Sequence, residues 1–205
     1  AQIADGSLSV DRQGKVREVS VLFSDIRGFT SMSERQDATA LVGLLNTYFE
    51  DMVDIVFEYE GTLDKFIGDA VMAIFGAPAH QSDHAERAVK AAVKMQQRLH
   101  ELVHGVNGQA PRLPVPFEIG IGVNTGEVVA GFLGSPMALD YTVVGDVVNT
   151  ASRICGAAPP WKVLIGEATR QQLRGPWQLA QIDAIEAKGK SERVPVYDVG
   201  YDLQS

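Results

Sequence analysis

The chain has 205 residues, of which 45% are hydrophobic, and a formal net charge of −8 at pH 7. This length and hydrophobic content predict one globular domain, and the negative charge argues against a general nucleic-acid binder, which needs a basic face. The single cysteine excludes an internal disulfide, and no apolar run approaches the roughly 20 residues that span a bilayer, so we expect a cytoplasmic domain.

The first residues differ from the rest in composition. Residues 1–15 contain Asp-Gly-Ser and Asp-Arg-Gln-Gly, which are typical of a linker, and the chain does not begin with Met. We therefore expect residues 1–15 to connect a folded domain at 16–205 to an upstream sensory region.

The first half of the domain predicts strands and two long helices. Residues 16–24 form an apolar strand, and apolar residues at helical spacing predict a helix over 37–59 that ends at Gly61. Strands at 62–67 and 70–75 follow, joined by a tight turn at Gly68 and Asp69. A second helix is predicted over 83–103, with Ser82 as its N-cap.

The second half predicts shorter elements after a loop at 105–116. Two strands, at 117–124 and 127–133, are expected to turn at Thr125 and Gly126, with another loop around 134–136. The remaining predictions are strands at 141–144, 163–165, 177–185 and 194–199, a helix over 145–155 and a short helix after Gly166. This element order favours an α+β fold with an antiparallel-rich sheet and helices on one side.

Two aspartates each follow an apolar strand. Asp25 and Asp69 come where predicted strands end, and each is accompanied by glycine. A lone aspartate there is usually a turn residue or a helix cap. Two carboxylates on neighbouring strands can instead hold a pair of Mg²⁺ ions, the usual machinery for displacement at phosphorus. The backbone N–H groups of Gly28, Phe29 and Thr30, at a helix start, predict a cradle for an anion.

Further polar residues lie in apolar surroundings. Asn149 and Arg153 are four apart, which places both on one face of the predicted helix, where the neighbouring residues are small and apolar. A solvated polar stripe is the simpler interpretation, but arginine also suits a phosphoryl group because its planar fork donates two hydrogen bonds. Lys65 lies inside a predicted strand, where many lysines only face solvent.

Taken together, five collinear segments resemble the catalytic domain of class III nucleotidyl cyclases, over residues 19–197. The segments are FSDIRGFT (23–30), KFIGDA (65–70), GVNTG (122–126), YTVVGDVVNTASR (141–153) and KGK (188–190). The resemblance implies a ferredoxin-like, antiparallel-rich sheet with covering helices, and a head-to-tail homodimer whose two active sites lie at the interface.

The same resemblance assigns roles to individual residues. It implies that Asp25, Asp69 and the backbone carbonyl of Ile26 hold two Mg²⁺ or Mn²⁺ ions. The partner subunit would then supply the remaining groups: Lys65 and Thr142 to the purine, Asn149 to the ribose, Arg153 to the transition state and Lys188 to the terminal phosphates. Some relatives carry a phosphate-binding arginine where this chain has Gly120, so Lys188 and backbone amides would bear more of the triphosphate.

The base can be argued from hydrogen bonding. Lysine donates to adenine N1 and a threonine hydroxyl accepts from the exocyclic amine, whereas guanine presents the reversed pattern. Lys65 with Thr142 therefore favours ATP, and the expected reaction forms 3′,5′-cyclic AMP and pyrophosphate. The alternatives are a guanylyl cyclase, a catalytically silent cyclase-like domain that binds nucleotide or dimerises, and another palm-like nucleotidyltransferase.

Overall fold

The computed structural model describes residues 14–106, 108–114, 116–135, 137–185 and 194–203. Its elements are, in chain order, β1 (Lys15–Ile26), α1 (Phe29–Ser33), α2 (Ala38–Glu58), β2 (Thr62–Ile67), β3 (Ala70–Phe75), α3 (His84–His104), β4 (Ile119–Ser135), β5 (Ala138–Val144), α4 (Asp146–Ala157), β6 (Lys162–Gly166), α5 (Glu167–Gln172), β7 (Gln178–Ile185) and β8 (Val194–Gly200).

All eight strands belong to one sheet in the order β2-β3-β1-β4-β6-β8-β7, and β5 pairs with β4. Strands β4 and β6 run parallel, whereas the other described pairings are antiparallel. This mixed architecture confirms the predicted α+β fold with an antiparallel-rich sheet.

Helices cover both faces of the sheet, so the expectation that they lie on one side was wrong. Successive side chains of a strand point to opposite faces. Leu22 of β1 packs in the core cluster that contains residues of α2 and α3, whereas Val21 and Phe23 pack in a second cluster with Ala151 and Cys155 of α4. The apolar face of α4 therefore covers the sheet face opposite α2 and α3.

The predicted turn at Thr125 and Gly126 was also wrong, because β4 runs through both residues without a break. Strand β1 is long enough to pair with it continuously, and Ser20 lies opposite Thr125. The Thr125 hydroxyl shares a buried hydrogen bond of 2.6 Å with that of Ser20. A Cβ on Gly126 would meet Val147 at 2.8 Å, so this glycine permits close packing of α4 instead of a turn.

The hairpin at Gly68 and Asp69 is confirmed, with β2 and β3 at the predicted bounds and Gly68 at a φ of 63°. The predicted cap Ser82 was wrong. Helix α3 begins at His84 with Asp83 as the N-cap residue, which makes no side-chain capping bond. Its carboxylate instead accepts a hydrogen bond of 2.8 Å from Arg87 Nε.

Some predictions fall outside the described residues. These include most of the expected linker, of which Lys15 already belongs to β1, and Lys188. Within the described residues, no helix combines the length and apolar character that a bilayer span requires.

Candidate active site

The two aspartates predicted from the sequence lie together. Asp25 is near the end of β1 and Asp69 is in the β2–β3 turn, and β1 pairs with β3. The backbone N–H of Ile26 donates a hydrogen bond of 3.1 Å to Asp69 Oδ2. Burial, followed by the negative charge of Asp25, raises the pKa of Asp69 to about 6. Burial and the nearby Asp25 charge both disfavour the ionised form of Asp69.

Arg27, which the sequence analysis overlooked, contacts Asp25. Arg27 Nη1 lies 3.3 Å from Asp25 Oδ2, and Nη2 donates a hydrogen bond of 2.5 Å to the carbonyl oxygen of Cys155. Its Nε is buried without a hydrogen-bond partner among the described residues. Arg27 therefore links Asp25 to the end of α4, and its position inside the FSDIRGFT segment was the available signal.

The donor set suits a hard divalent cation. Mg²⁺ takes oxygen ligands and commonly binds through one or two carboxylates together with water and substrate phosphates. A cation between Asp25 and Asp69 would balance the two carboxylate charges, where burial and then the Asp25 charge raise the pKa of Asp69. No group of three or more His, Cys, Asp or Glu side chains forms a metal site within the described ranges.

The chain turns sharply after Asp25. Gly28 has a φ of 71° and precedes α1, and the Met32 N–H donates to the Gly28 carbonyl at 3.0 Å. Phe29 packs against the main core, whereas Gly28 and Thr30 are exposed. A contact of these three residues with phosphate stays a prediction.

A second group of predicted residues lines one cavity of about 280 Å³. Lys65 of β2, Thr142 of β5 and Asn149 of α4 all contribute to its walls. The structure adds Asp64, whose Oδ2 accepts a hydrogen bond of 3.1 Å from Thr142 Oγ1 and lies 3.4 Å from Lys65 Nζ. Sequence periodicity gave no signal for Asp64, because adjacent strand residues normally face opposite sides.

The two groups of predicted residues occupy different places in one chain. Asp25 and Asp69 do not line the cavity that contains Lys65, Thr142 and Asn149. Arg153 lies on α4 one turn beyond Asn149, is half-buried and also does not line that cavity. The structure thus brings together the aspartates, and separately the lysine, threonine and asparagine.

Another cavity, of about 760 Å³, contains none of the predicted site residues. It lies at the opposite end of β1, where Glu18 and His84 are among the residues that line it. Asp25 and Asp69 lie elsewhere, as does the cavity lined by Lys65, Thr142 and Asn149. This cavity is therefore not the candidate site, despite its larger volume.

Comparison with known proteins agrees with these features. The family model described as the adenylate and guanylate cyclase catalytic domain matches residues 12–199. An adenylate cyclase of Anabaena cylindrica is 37% identical over 89% of this chain and 37% of its own length. Adenylate cyclase 1 of Rhizobium meliloti is 34% identical over 89% of this chain and 27% of its own length. The chain therefore spans less than two-fifths of each of these two relatives.

Solved structures of cyclases share the fold. The adenylyl cyclase CyaB from P. aeruginosa has a TM-score of 0.83 at 36% identity, covering 92% of this chain and 96% of its own. The guanylyl cyclase Cya2 has a TM-score of 0.84 at 38% identity, covering 91% and 93%. The chain therefore belongs to the family of adenylate and guanylate cyclase catalytic domains.

Proposed function

We propose that this domain is an adenylyl cyclase that converts ATP to 3′,5′-cyclic AMP and pyrophosphate. The observation that carries the proposal is that Lys65, Thr142 and Asn149 line one cavity in a chain of the cyclase family. A lysine donates to adenine N1, and a threonine hydroxyl accepts from the exocyclic amine. Asn149, on α4, would bind the ribose.

The remaining residues act on the phosphates and the reacting oxygen. Arg153 stabilises the charge that develops at the α-phosphate as the ribose 3′-oxygen attacks in line, and loss of one such donor typically costs about 10² to 10³ in rate. Lys188 binds the terminal phosphates, while Gly28, Phe29 and Thr30 offer backbone N–H groups to the triphosphate.

Asp25, Asp69 and the Ile26 carbonyl would hold two Mg²⁺ or Mn²⁺ ions. Bound there, these ions acidify the 3′-hydroxyl and neutralise triphosphate charge. The proximity of Asp25 and Asp69, together with the raised pKa of Asp69, supports this assignment.

A head-to-tail homodimer completes each site in this proposal. The aspartate pair and the cavity of Lys65 lie apart within one chain. In a dimer, the aspartate pair of one subunit would face the Lys65 cavity of its partner. Large exposed apolar side chains on β2 and at the β4–β5 hairpin support self-association: Phe66, Ile67, Phe132, Leu133 and Met137. Both relatives are longer than this chain, and the proposal retains the upstream sensory region and the cytoplasmic location expected from the sequence.

One assay distinguishes the proposed adenylyl cyclase activity from two other functions. The similarity to Cya2 makes guanylyl cyclase activity the second candidate, and a silent cyclase-like domain is the third. Purified protein is incubated with Mn²⁺ and either ATP or GTP, with Asp25→Ala as the control. We expect cyclic AMP from the unsubstituted protein only. Comparable turnover of GTP would overturn the base assignment, and a dimeric sample without product would favour the silent domain.

A further inference from the structure

The β2 strand contains a bulge at the base-binding cavity. Leu63 pairs with Ala73 and Lys65 pairs with Met72, so the register shifts and Asp64 is the extra residue. Bulges re-aim side chains and are common next to active sites. Here the result is that Asp64 and Lys65, although adjacent in sequence, both line the cavity that contains Thr142.

The Asp64 carboxylate is held between the two residues proposed to bind adenine. Its side chain is fully buried, whereas that of Lys65 is 44% exposed. Oδ2 accepts a hydrogen bond of 3.1 Å from Thr142 Oγ1 and lies 3.4 Å from Lys65 Nζ. The other oxygen, Oδ1, is buried without a hydrogen-bond partner in the described part of the chain.

This contact fixes the direction of the Thr142 hydrogen bond. A threonine hydroxyl has one proton and two lone pairs, so alone it can donate to a base or accept from one. A carboxylate paired with an ammonium group only accepts. The hydroxyl proton of Thr142 is therefore committed to Asp64, and only lone pairs remain for the base.

We propose that Asp64 determines base specificity, because it makes Thr142 an acceptor beside the donor Lys65. This inference rests on the adenylyl cyclase activity proposed above. Adenine matches the pattern, since N1 accepts and the exocyclic amine donates. Guanine opposes it at both positions, because N1–H faces the lysine donor and O6 faces the threonine acceptor. In this proposal Asp64 acts on the base through Thr142, so it is a positioning residue.

The test compares ATP with GTP in variants of Asp64. In Asp64→Ala the Thr142 hydroxyl rotates freely, and we expect the ratio of kcat/KM for ATP to that for GTP to fall about ten- to a hundredfold. In Asp64→Asn the amide nitrogen takes the place of the unpartnered Oδ1, and the amide oxygen still accepts from Thr142. That variant should retain the ratio to within about threefold. Exposed Asp54 on α2 provides the charge-matched control, Asp54→Ala, which should leave the ratio unchanged.

A double substitution tests whether the effect passes through Thr142. Thr142→Val removes the hydroxyl, so adding Asp64→Ala to it should not change the ratio further. A folded Asp64→Ala protein with the unsubstituted ratio would overturn the proposal, as would an equal loss in the Thr142→Val background. Asp64→Asn behaving like Asp64→Ala would also overturn it, because charge rather than hydrogen-bond direction would then be responsible. Asp64→Val, which suits a strand, replaces the alanine variant if that does not fold.

Equilibrium binding separates this inference from the proposed reaction. The α,β-methylene analogues of ATP and GTP are titrated into the same variants by calorimetry. If the unsubstituted protein forms no cyclic nucleotide, the proposed activity falls. The role of Asp64 is still supported if the ratio of the two dissociation constants, which favours the adenine analogue, falls about tenfold or more in Asp64→Ala and is retained in Asp64→Asn. Equal preference in all three proteins refutes it.

Discussion

The guanidinium of Arg27 occupies the space that a side chain on Gly120 would need. A Cβ built on Gly120 would lie 2.1 Å from Arg27 Nη2, and also 2.6 Å from the carbonyl oxygen of Ala158. Arg27 can rotate away from such an atom, but the Ala158 backbone cannot. The absence of a side chain at Gly120 thus lets Arg27, which follows β1, extend past β4, and its Nη1 lies 3.3 Å from Asp25 Oδ2.

Gly120→Ala is therefore expected to destabilise the protein. Overpacking of this kind costs about 1 to 3 kcal/mol in the free energy of unfolding, and denaturant titration measures it. Gly156→Ala is the matched control, because a Cβ there meets no atom within 4 Å and the residue is on the exposed side of helix α4. Alanine at position 156 should leave stability unchanged or raise it slightly. Equal stability of the two variants would contradict the close approach of the Ala158 backbone to Gly120.

Asp69 predicts a pH dependence of stability when metal is removed by chelation. Burial and the charge of Asp25 raise its pKa to about 6 in the folded protein, above its ordinary value of 3.8. The folded state thus holds the Asp69 proton more tightly than the unfolded state. The contribution of this group to the free energy of unfolding should therefore fall as pH rises from about 4 to about 6 and stay constant above about 7.

The contribution of Asp69 is measured as a difference. Urea unfolding of the unsubstituted protein and of Asp69→Asn is followed over this pH range, and subtraction isolates the one group. Added Mn²⁺ should stabilise the unsubstituted protein more at pH 7.5 than at pH 5, because the ion competes with the proton. A difference curve that is flat from pH 4 to pH 7 would refute the raised pKa.

Tyr48 supports the strand that carries Asp25. Its side chain is fully buried, and its hydroxyl forms a hydrogen bond with that of Ser24. Tyr48→Phe leaves the buried Ser24 hydroxyl without this partner, so we expect a loss of about 1 kcal/mol in the free energy of unfolding. Ser24→Ala should cost a similar amount, and the double substitution less than the sum.

Tyr59→Phe is the control for this prediction. It removes a tyrosine hydroxyl at the C-terminal end of the same helix, α2, where the residue is half-buried. Its effect should stay below about 0.5 kcal/mol. Thermal unfolding of the four variants and the unsubstituted protein at one pH measures these differences. A Tyr48→Phe protein as stable as Tyr59→Phe would show that the buried hydrogen bond contributes little.

How much the sequence predicts depends on whether the determining contacts are local. The Gly68–Asp69 hairpin was predicted at its observed bounds because glycine at positive φ is a local requirement. The continuation of β4 through Gly126 was missed, because the reason for this glycine is its close packing against Val147, a helix residue that lies 21 residues later in the sequence, in a contact that local patterns do not reveal. The same holds for the site. Motifs indicated Asp25 and Asp69, whereas Asp64 became visible only through a strand bulge and its contact with Thr142.

Shared active sites predict that two inactive variants restore activity when mixed. Asp25→Ala damages only the metal-binding half of a site, and Arg153→Ala damages only the half that the partner subunit supplies. A mixed dimer then has one intact site and one doubly damaged site. Equal mixing should restore about a quarter of the unsubstituted cyclase activity, because half of the dimers are mixed and each has one working site.

The control mixes Asp25→Ala with Asp69→Ala, whose substitutions both fall in the metal-binding half. Every site of such a mixed dimer lacks one of the two aspartates, so no activity should return. Cyclic AMP formation is measured after subunit exchange has been verified by native mass spectrometry. Failure of the Asp25→Ala and Arg153→Ala pair to recover activity despite exchange would mean that each chain builds its site alone. In that case the aspartate pair and the Lys65 cavity of the same subunit would have to move together to form one site.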